Sequence, residues 1–214
     1  MQDIIAYFEN WNTIDGIIIS VIGGIILIFI LNSLGFIKRI FKNILEKLRH
    51  ILWKTKPRRL LIYISHGGTC RDPMAKAITE QIVKDMSLPF HIEIEALALG
   101  PPTKKHSSYA AINAIKEIYN KDLIGHHIPR RVTEDIIEKA DLILVMDKSL
   151  MVKKIFPKDK TYLFKEFFGL SGDIIDPWPD GKDQETLNKY KKCAIEIKET
   201  IESNPNSLVH ALHV

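Results

Sequence analysis

Residues Tyr63–Ile78 read YISHGGTCRDPMAKAI, a short apolar strand that runs into a glycine-rich turn and then into a helix opening on Asp72-Pro73. A turn that delivers the chain to a helix N-terminus gathers unpaired backbone N–H groups at the positive end of the helix dipole, and both favour an anion. The stretch therefore reads as a phosphate-holding loop formed by His66, Gly67, Gly68, Thr69, Cys70 and Arg71. Ser65 stands where a nucleophile facing that anion would sit. A serine hydroxyl needs a base before it can attack, so this one position decides what the loop does with a phosphate.

Outward from the loop, Arg59–Ser65 (RLLIYIS) is apolar and β-branched, as a strand buried on both faces should be. Pro73–Asp85 is predicted helical, with Asp72 as N-cap and Pro73 at the first helical position. His91–Leu99 (HIEIEALAL) alternates like a half-buried strand, Ser107–Tyr119 reads as a helix, and Ala140–Met146 (ADLILVM) as a further buried strand. A short helix over Ser149–Ile155, a fourth strand over Thr161–Phe168 and a last helix over Asp183–Ser203 complete the pattern, with a frayed tail after Asn204. Strands separated by helices predict an α/β fold of three layers, in which a central parallel sheet of four strands binds its ligand beyond the carboxyl ends of the strands.

The chain of 214 residues is longer than this domain requires. Residues 16–37 (GIIISVIGGIILIFILNSLGFI) carry no charge over 22 residues, long enough for a transmembrane helix. A cleaved signal peptide would have a basic segment in front, whereas residues 1–15 hold Asp3, Glu9 and Asp15 and no Lys or Arg. Residues 38–59 hold nine Lys/Arg against one acid, Glu46, so the positive-inside rule predicts a single-pass protein with its N-terminus outside and the domain in the cytoplasm. Of the net charge of +4, the N-terminal 15 residues contribute −3 and residues 38–59 contribute +8, leaving −1 for residues 60–214. The basic character belongs to the linker 38–58 and points to anionic lipid headgroups, not to nucleic acid. Ile37, Ile40, Phe41, Ile44, Leu45 and Leu48 recur at helical spacing there, as in an amphipathic helix on the inner leaflet or a basic continuation of the span. Cys70 and Cys193 are the two cysteines, far apart, and the histidines do not cluster with them at ligand spacing, so neither a disulfide framework nor a zinc site is expected; no cofactor or metal is expected either.

The segment from Leu60 to Ser203 resembles the low-molecular-weight protein tyrosine phosphatases, whose phosphate loop Cys-x5-Arg follows the first strand. Ser-His-Gly-Gly-Thr-Cys-Arg-Asp-Pro keeps that frame, with Ser65 six residues before Arg71 and Cys70 at the family's second cysteine. The resemblance continues through His127-Ile128-Pro129-Arg130, through Ala140–Asp147 and through Asp176-Pro177-Trp178, in the family's order. It implies a domain over residues 59–203, followed by the tail 204–214, in which Arg71 clamps the phosphate. Asp176 would be the general acid, Trp178 an aromatic wall for a phosphorylated ring, and His127 a structural hydrogen-bond partner behind the loop. His66 and His127 can also be read as a base or metal pair; the resemblance favours the structural role.

The departures cluster at the nucleophile. The family attacks with a thiolate whose pKa the loop depresses, and Ser65 has no such option. The family's loop asparagine is Gly68, and its serine after the arginine is Asp72; an ionised carboxylate there cannot donate a hydrogen bond and would repel a phosphate dianion. Arsenate reduction lacks its nucleophilic cysteine and resolving partners. Three readings follow. In the favoured one, the domain binds phosphotyrosine or another phosphate monoester with catalysis weak or absent. In the second it is an active phosphatase, either because Ser65 replaces a native cysteine as an introduced trap or because Asp72 activates it. In the third it is a membrane scaffold with a vestigial site, associating through the Gly23-Gly24 region.

Overall fold

The structure, a computed structural model, describes residues 21, 42–44, 56–102 and 104–213. The chain divides into two units, Met1–Lys56 and Pro57–Val214. In the first, Val21 and residues 42–44 are helical and exposed. The expected span 16–37, the acidic N-terminus and most of the linker lie outside the described residues. Among those that are described, no helix is long and apolar enough to cross a membrane.

In the second unit the order is β1 (Arg58–Ser65), α1 (Arg71–Lys84), β2 (His91–Ala98), α2 (Tyr109–Tyr119), α3 (Glu134–Lys139), β3 (Leu142–Val145), α4 (Lys148–Met151), β4 (Thr161–Leu163), α5 (Phe164–Phe167), α6 (Gln184–Ser203) and α7 (Asn206–Leu212). The four strands form one parallel sheet in the order β2-β1-β3-β4. Alternation along β1 divides the core. Leu61 and Tyr63 face a cluster containing Met74 and Ile78 of α1, Ile115 of α2 and Ile197 of α6. Ile62 and Ile64 face a second cluster with Ile137 of α3 and Leu150 of α4. Because β1 is central and buried on both sides, the residue at its carboxyl end is held by both layers. That residue is Ser65, paired in register with Ala98.

α1 is fastened to β1 by polar as well as apolar contacts. The Tyr63 hydroxyl donates to Thr79 Oγ1 at 2.7 Å, and Thr79 in turn donates to the Ala75 carbonyl at 2.8 Å, so the buried hydroxyls are satisfied.

Several expected bounds shift for identifiable reasons. α1 begins at Arg71 with Cys70 as its N-cap, since Met74 N–H already donates to the Cys70 carbonyl at 3.0 Å. Asp72 is therefore inside the first turn and is not the cap, and its carboxylate serves elsewhere. The strand expected over Thr161–Phe168 ends at Leu163, where the chain turns helical so that Phe164 and Phe168 both enter the core, ring centroids 5.4 Å apart. The helix expected over Ser149–Ile155 stops at Met151, leaving Val152 and Ile155 exposed. The tail does not fray: α7 places Leu208 and Leu212, one turn apart, against the core at 1% exposure each. Leu208→Ala is accordingly expected to lower the unfolding free energy of the 57–214 unit by about 2–5 kcal/mol, measured by urea denaturation.

Candidate active site

The loop owes its shape to where its carbonyls go. The Ser65 and His66 carbonyls accept from Leu99 and Gly100 N–H, both at 2.9 Å; Gly68 O bonds His127 Nε2 at 3.0 Å; Thr69 O accepts from Ser108 N–H at 2.8 Å; and Cys70 O accepts from Met74 N–H. In a trans peptide the carbonyl and the following N–H point to opposite sides. Five carbonyls tied outward thus turn the amides of His66, Gly67, Thr69, Cys70 and Arg71 toward the space that the loop encircles. The result is an anion cradle at the start of α1.

Burial lowers the His127 pKa, and because a carbonyl only accepts, Nε2 must carry a proton. Gly68 fits its position for a backbone reason: φ is +70°, and a Cβ there would stand 2.9 Å from Ala98 Cβ. The loop is braced at this point by Ala98 and His127.

At the base of the loop Ser65, 1% exposed, donates to Asp72 Oδ1 at 2.5 Å, while Gly68 N–H approaches Ser65 Oγ at 3.3 Å. Asp72 is fully buried, and among the described residues its Oδ2 has no hydrogen-bond partner. Burial raises its pKa to about 7, against the opposing effects of the Ser65 hydroxyl and Arg71. The carboxylate expected to be ionised is therefore only partly so at neutral pH. Near neutral pH Asp72 divides between an anion that can take the Ser65 proton and an acid carrying a proton on Oδ2.

Arg71 is 3% exposed, and its fork is fully engaged on one side. Nη1 donates to Asp147 Oδ2 at 2.8 Å and to the Ile174 carbonyl at 2.9 Å; Nη2 donates to Asp176 Oδ2 at 2.9 Å. Burial works against the guanidinium charge, but the two carboxylates outweigh it and its pKa is raised. Burial also opposes the Asp147 charge; Ser149 and Arg71 prevail and hold its pKa below the ordinary range. A cleft of about 440 Å³ opens here, lined by His66, Arg71, Asp147, Asp173, Ile174 and Asp176 among others.

The loop bearing Asp176 is pinned at both ends. Asp176 Oδ1 accepts from Trp178 N–H at 3.2 Å, and Asp180 accepts from Tyr109 N–H at 3.1 Å and Ala110 N–H at 2.9 Å at the start of α2, where Lys104 also pairs with it. Trp178 does not line the cleft; its ring is 53% exposed, with Lys104 Nζ 5.6 Å from its centroid. Cys70 points its sulfur at Asp176 Oδ1, 3.8 Å away. Its thiol is pushed up to about 12 by burial and by Asp176 and Asp72, so it is no substitute nucleophile.

Ser65, Arg71, Asp72 and Asp176 thus converge, with His127 behind the loop. Asp147 and Asp180 carry more of the geometry than their sequence neighbourhood suggested. Asp147 had a signal: it directly follows the carboxyl end of a buried parallel strand, where ligands bind.

A family model for "Low molecular weight phosphotyrosine protein phosphatase" matches residues 60–212. The chain belongs to that family. Its members similar to this chain include the protein-arginine-phosphatase of Bacillus subtilis (strain 168), 27% identical over 66% of this chain and 91% of that protein. Among solved structures, the low molecular weight protein tyrosine phosphatase from T. tengcongensis is 29% identical, with a TM-score of 0.57 over 68% of this chain and 96% of its own. A YwlE arginine phosphatase mutant, with serine in place of cysteine and a phosphorylated active site serine, is 26% identical, with a TM-score of 0.58 over 67% of this chain and 91% of its own. The low-molecular-weight phosphatase domain is nearly the whole of these relatives, so the 57–214 unit contains a complete fold.

The buried Asp72 has a stability signature. Its folded pKa lies above that of an unfolded aspartate, so the native state binds the extra proton and stability falls as pH rises from about 4 to about 7, by roughly 1.4 kcal/mol per unit. Asp72→Asn removes that slope. Relative to the wild type, the variant is expected to gain roughly 2–3 kcal/mol between pH 5 and pH 8 in denaturant titrations of the 57–214 unit.

Proposed function

We propose that the 57–214 unit binds a phosphorylated protein side chain in its loop and takes the phosphoryl group onto Ser65 without sustained turnover. The observation that carries this reading is the hydrogen bond from Ser65 Oγ to the buried Asp72 carboxylate. A hydroxyl donating to a carboxyl group of pKa about 7 has its base in place. As the Oγ–P bond forms, Asp72 in its ionised form accepts the Ser65 proton; the bond from phosphorus to the substrate atom breaks, and Asp176, entering the step in its protonated form, gives its proton to that leaving atom. The loop amides and Arg71 neutralise the phosphoryl oxygens. For that, the guanidinium must share itself between the phosphate and its partners Asp147 and Asp176.

Turnover then requires water to expel serine from phosphorus. An alkoxide is a much poorer leaving group than the thiolate that the family uses, so the phosphoserine persists. The relative whose active-site cysteine was changed to serine and whose serine is phosphorylated supports that outcome. Phosphotyrosine is the ligand suggested by the family, and phosphoarginine the one suggested by the arginine-phosphatase relatives. The apolar stretch 16–37 and the basic linker 38–58 would hold the unit at the cytoplasmic face of an anionic membrane.

The test compares the wild-type 57–214 unit, Ser65→Cys, Ser65→Cys with Asp72→Ser, and Arg71→Ala on an aryl phosphate and on phosphotyrosine- and phosphoarginine-bearing proteins. The wild type should gain one phosphoryl group per chain by intact mass and show steady turnover no higher than Arg71→Ala. Ser65→Cys should turn over, and removal of the carboxylate beside the new thiolate should raise that rate by roughly 10-fold or more, each unit of thiol pKa being about 1.4 kcal/mol. Sustained wild-type turnover well above Arg71→Ala, or a wild type that takes up no phosphoryl group, overturns the reading.

A further inference from the structure

Beside the phosphate cleft lies a second cleft of opposite character. Its volume is about 500 Å³, and its wall includes Arg131, Lys153 and Lys154 but no carboxylate. It shares His66, Ser149 and Leu150 with the phosphate cleft, so the two clefts adjoin. Among the described residues, none of these three cations is ion-paired with a carboxylate. Arg131 is positioned by a hydrogen bond from its Nε to the Leu99 carbonyl at 3.2 Å, while the lysines stand exposed just beyond α4. The phosphate cleft, by contrast, sets Asp147, Asp173 and Asp176 around the single Arg71. Charge therefore changes sign from one side of the loop mouth to the other.

We propose that the basic cleft is the subsite for the residues flanking the phosphorylated one, and that it selects an acidic peptide segment. The proposal rests on the phosphoprotein reading above and adds the ligand's sequence character and polarity. A peptide whose phosphorylated side chain enters the loop must lay its neighbours across the adjoining clefts. Carboxylates on the basic side meet three unpaired cations, and carboxylates on the other side meet three aspartates, so one direction of the chain is favoured. Concavity and a wall shared with the phosphate cleft fit a peptide better than a flat lipid surface. Exposed charges are individually weak, so discrimination comes from the group and falls with salt.

The experiment uses the 57–214 unit and peptides bearing a non-transferable phosphonate analogue of phosphotyrosine, with glutamate, alanine or lysine flanks. Calorimetry at low ionic strength is expected to favour the acidic over the basic peptide by about 5- to 10-fold, a preference that shrinks at high salt. Lys153→Glu with Lys154→Glu is expected to abolish or reverse the preference, read as the ratio of acidic-peptide to basic-peptide affinity, whatever its effect on the alanine-flanked peptide. Equal affinity for all flanks, or a preference that survives the double reversal, overturns the proposal and leaves the phosphoprotein reading standing. Failure of every peptide to bind overturns both. If the reversal removes binding to anionic vesicles but no peptide discrimination is found, the cleft is a membrane contact and the proposal is wrong.

Discussion

A carboxylate with no exposed surface, in the first turn of a helix and bonded to the serine at the end of the central strand, is the constraint around which this site is organised. Burying a charge is costly, and the molecule answers by shifting the Asp72 pKa to about 7 and giving one oxygen the Ser65 hydroxyl. In its ionised form the same carboxylate can receive the Ser65 proton. Serine and aspartate are thus joined by a direct hydrogen bond at the base of the loop.

The rest of the loop is independent of that exchange, which is why the cradle survives it. Its carbonyls are anchored by Leu99, Gly100, Ser108 and His127, elements of the two layers that clamp β1. Its left-handed residue is a glycine packed against Ala98. Arg71, held by Asp147, Asp176 and the Ile174 carbonyl, ties the phosphate loop to the acid loop, and Asp180 ties the acid loop to α2. The contacts that shape the loop and those between Ser65 and Asp72 are thus largely separate sets.

Much of this was legible in the amino-acid sequence because it is local. The β-branched run of β1, the glycine turn and the helix after it announce the loop, and the spacing of Ser65 and Arg71 fixes its length. What was misjudged depended on contacts distant in the chain. Asp72-Pro73 has the form of a helix cap, but the tethered loop starts the helix at Arg71 and sends the carboxylate to Ser65 instead. Phe164–Phe167 has strand-like residues, yet burying Phe164 and Phe168 on one core face requires a helical turn. α7 is too short to stand out by periodicity and exists because Leu208 and Leu212 find a core. No spacing could show that Arg71 is shared by carboxylates 76 and 105 residues away, or that burial would bring Asp72 into the neutral range.

The protonation of Asp72 is the point on which the account turns. Its side-chain carboxyl can be followed directly by carbon NMR of the 57–214 unit, labelled at aspartate and assigned by comparison with Asp72→Asn. The account predicts a carboxyl that titrates with a midpoint near pH 7 and whose midpoint moves when Ser65 is changed to alanine. A carboxyl that titrates near pH 4, as an exposed aspartate does, would contradict it.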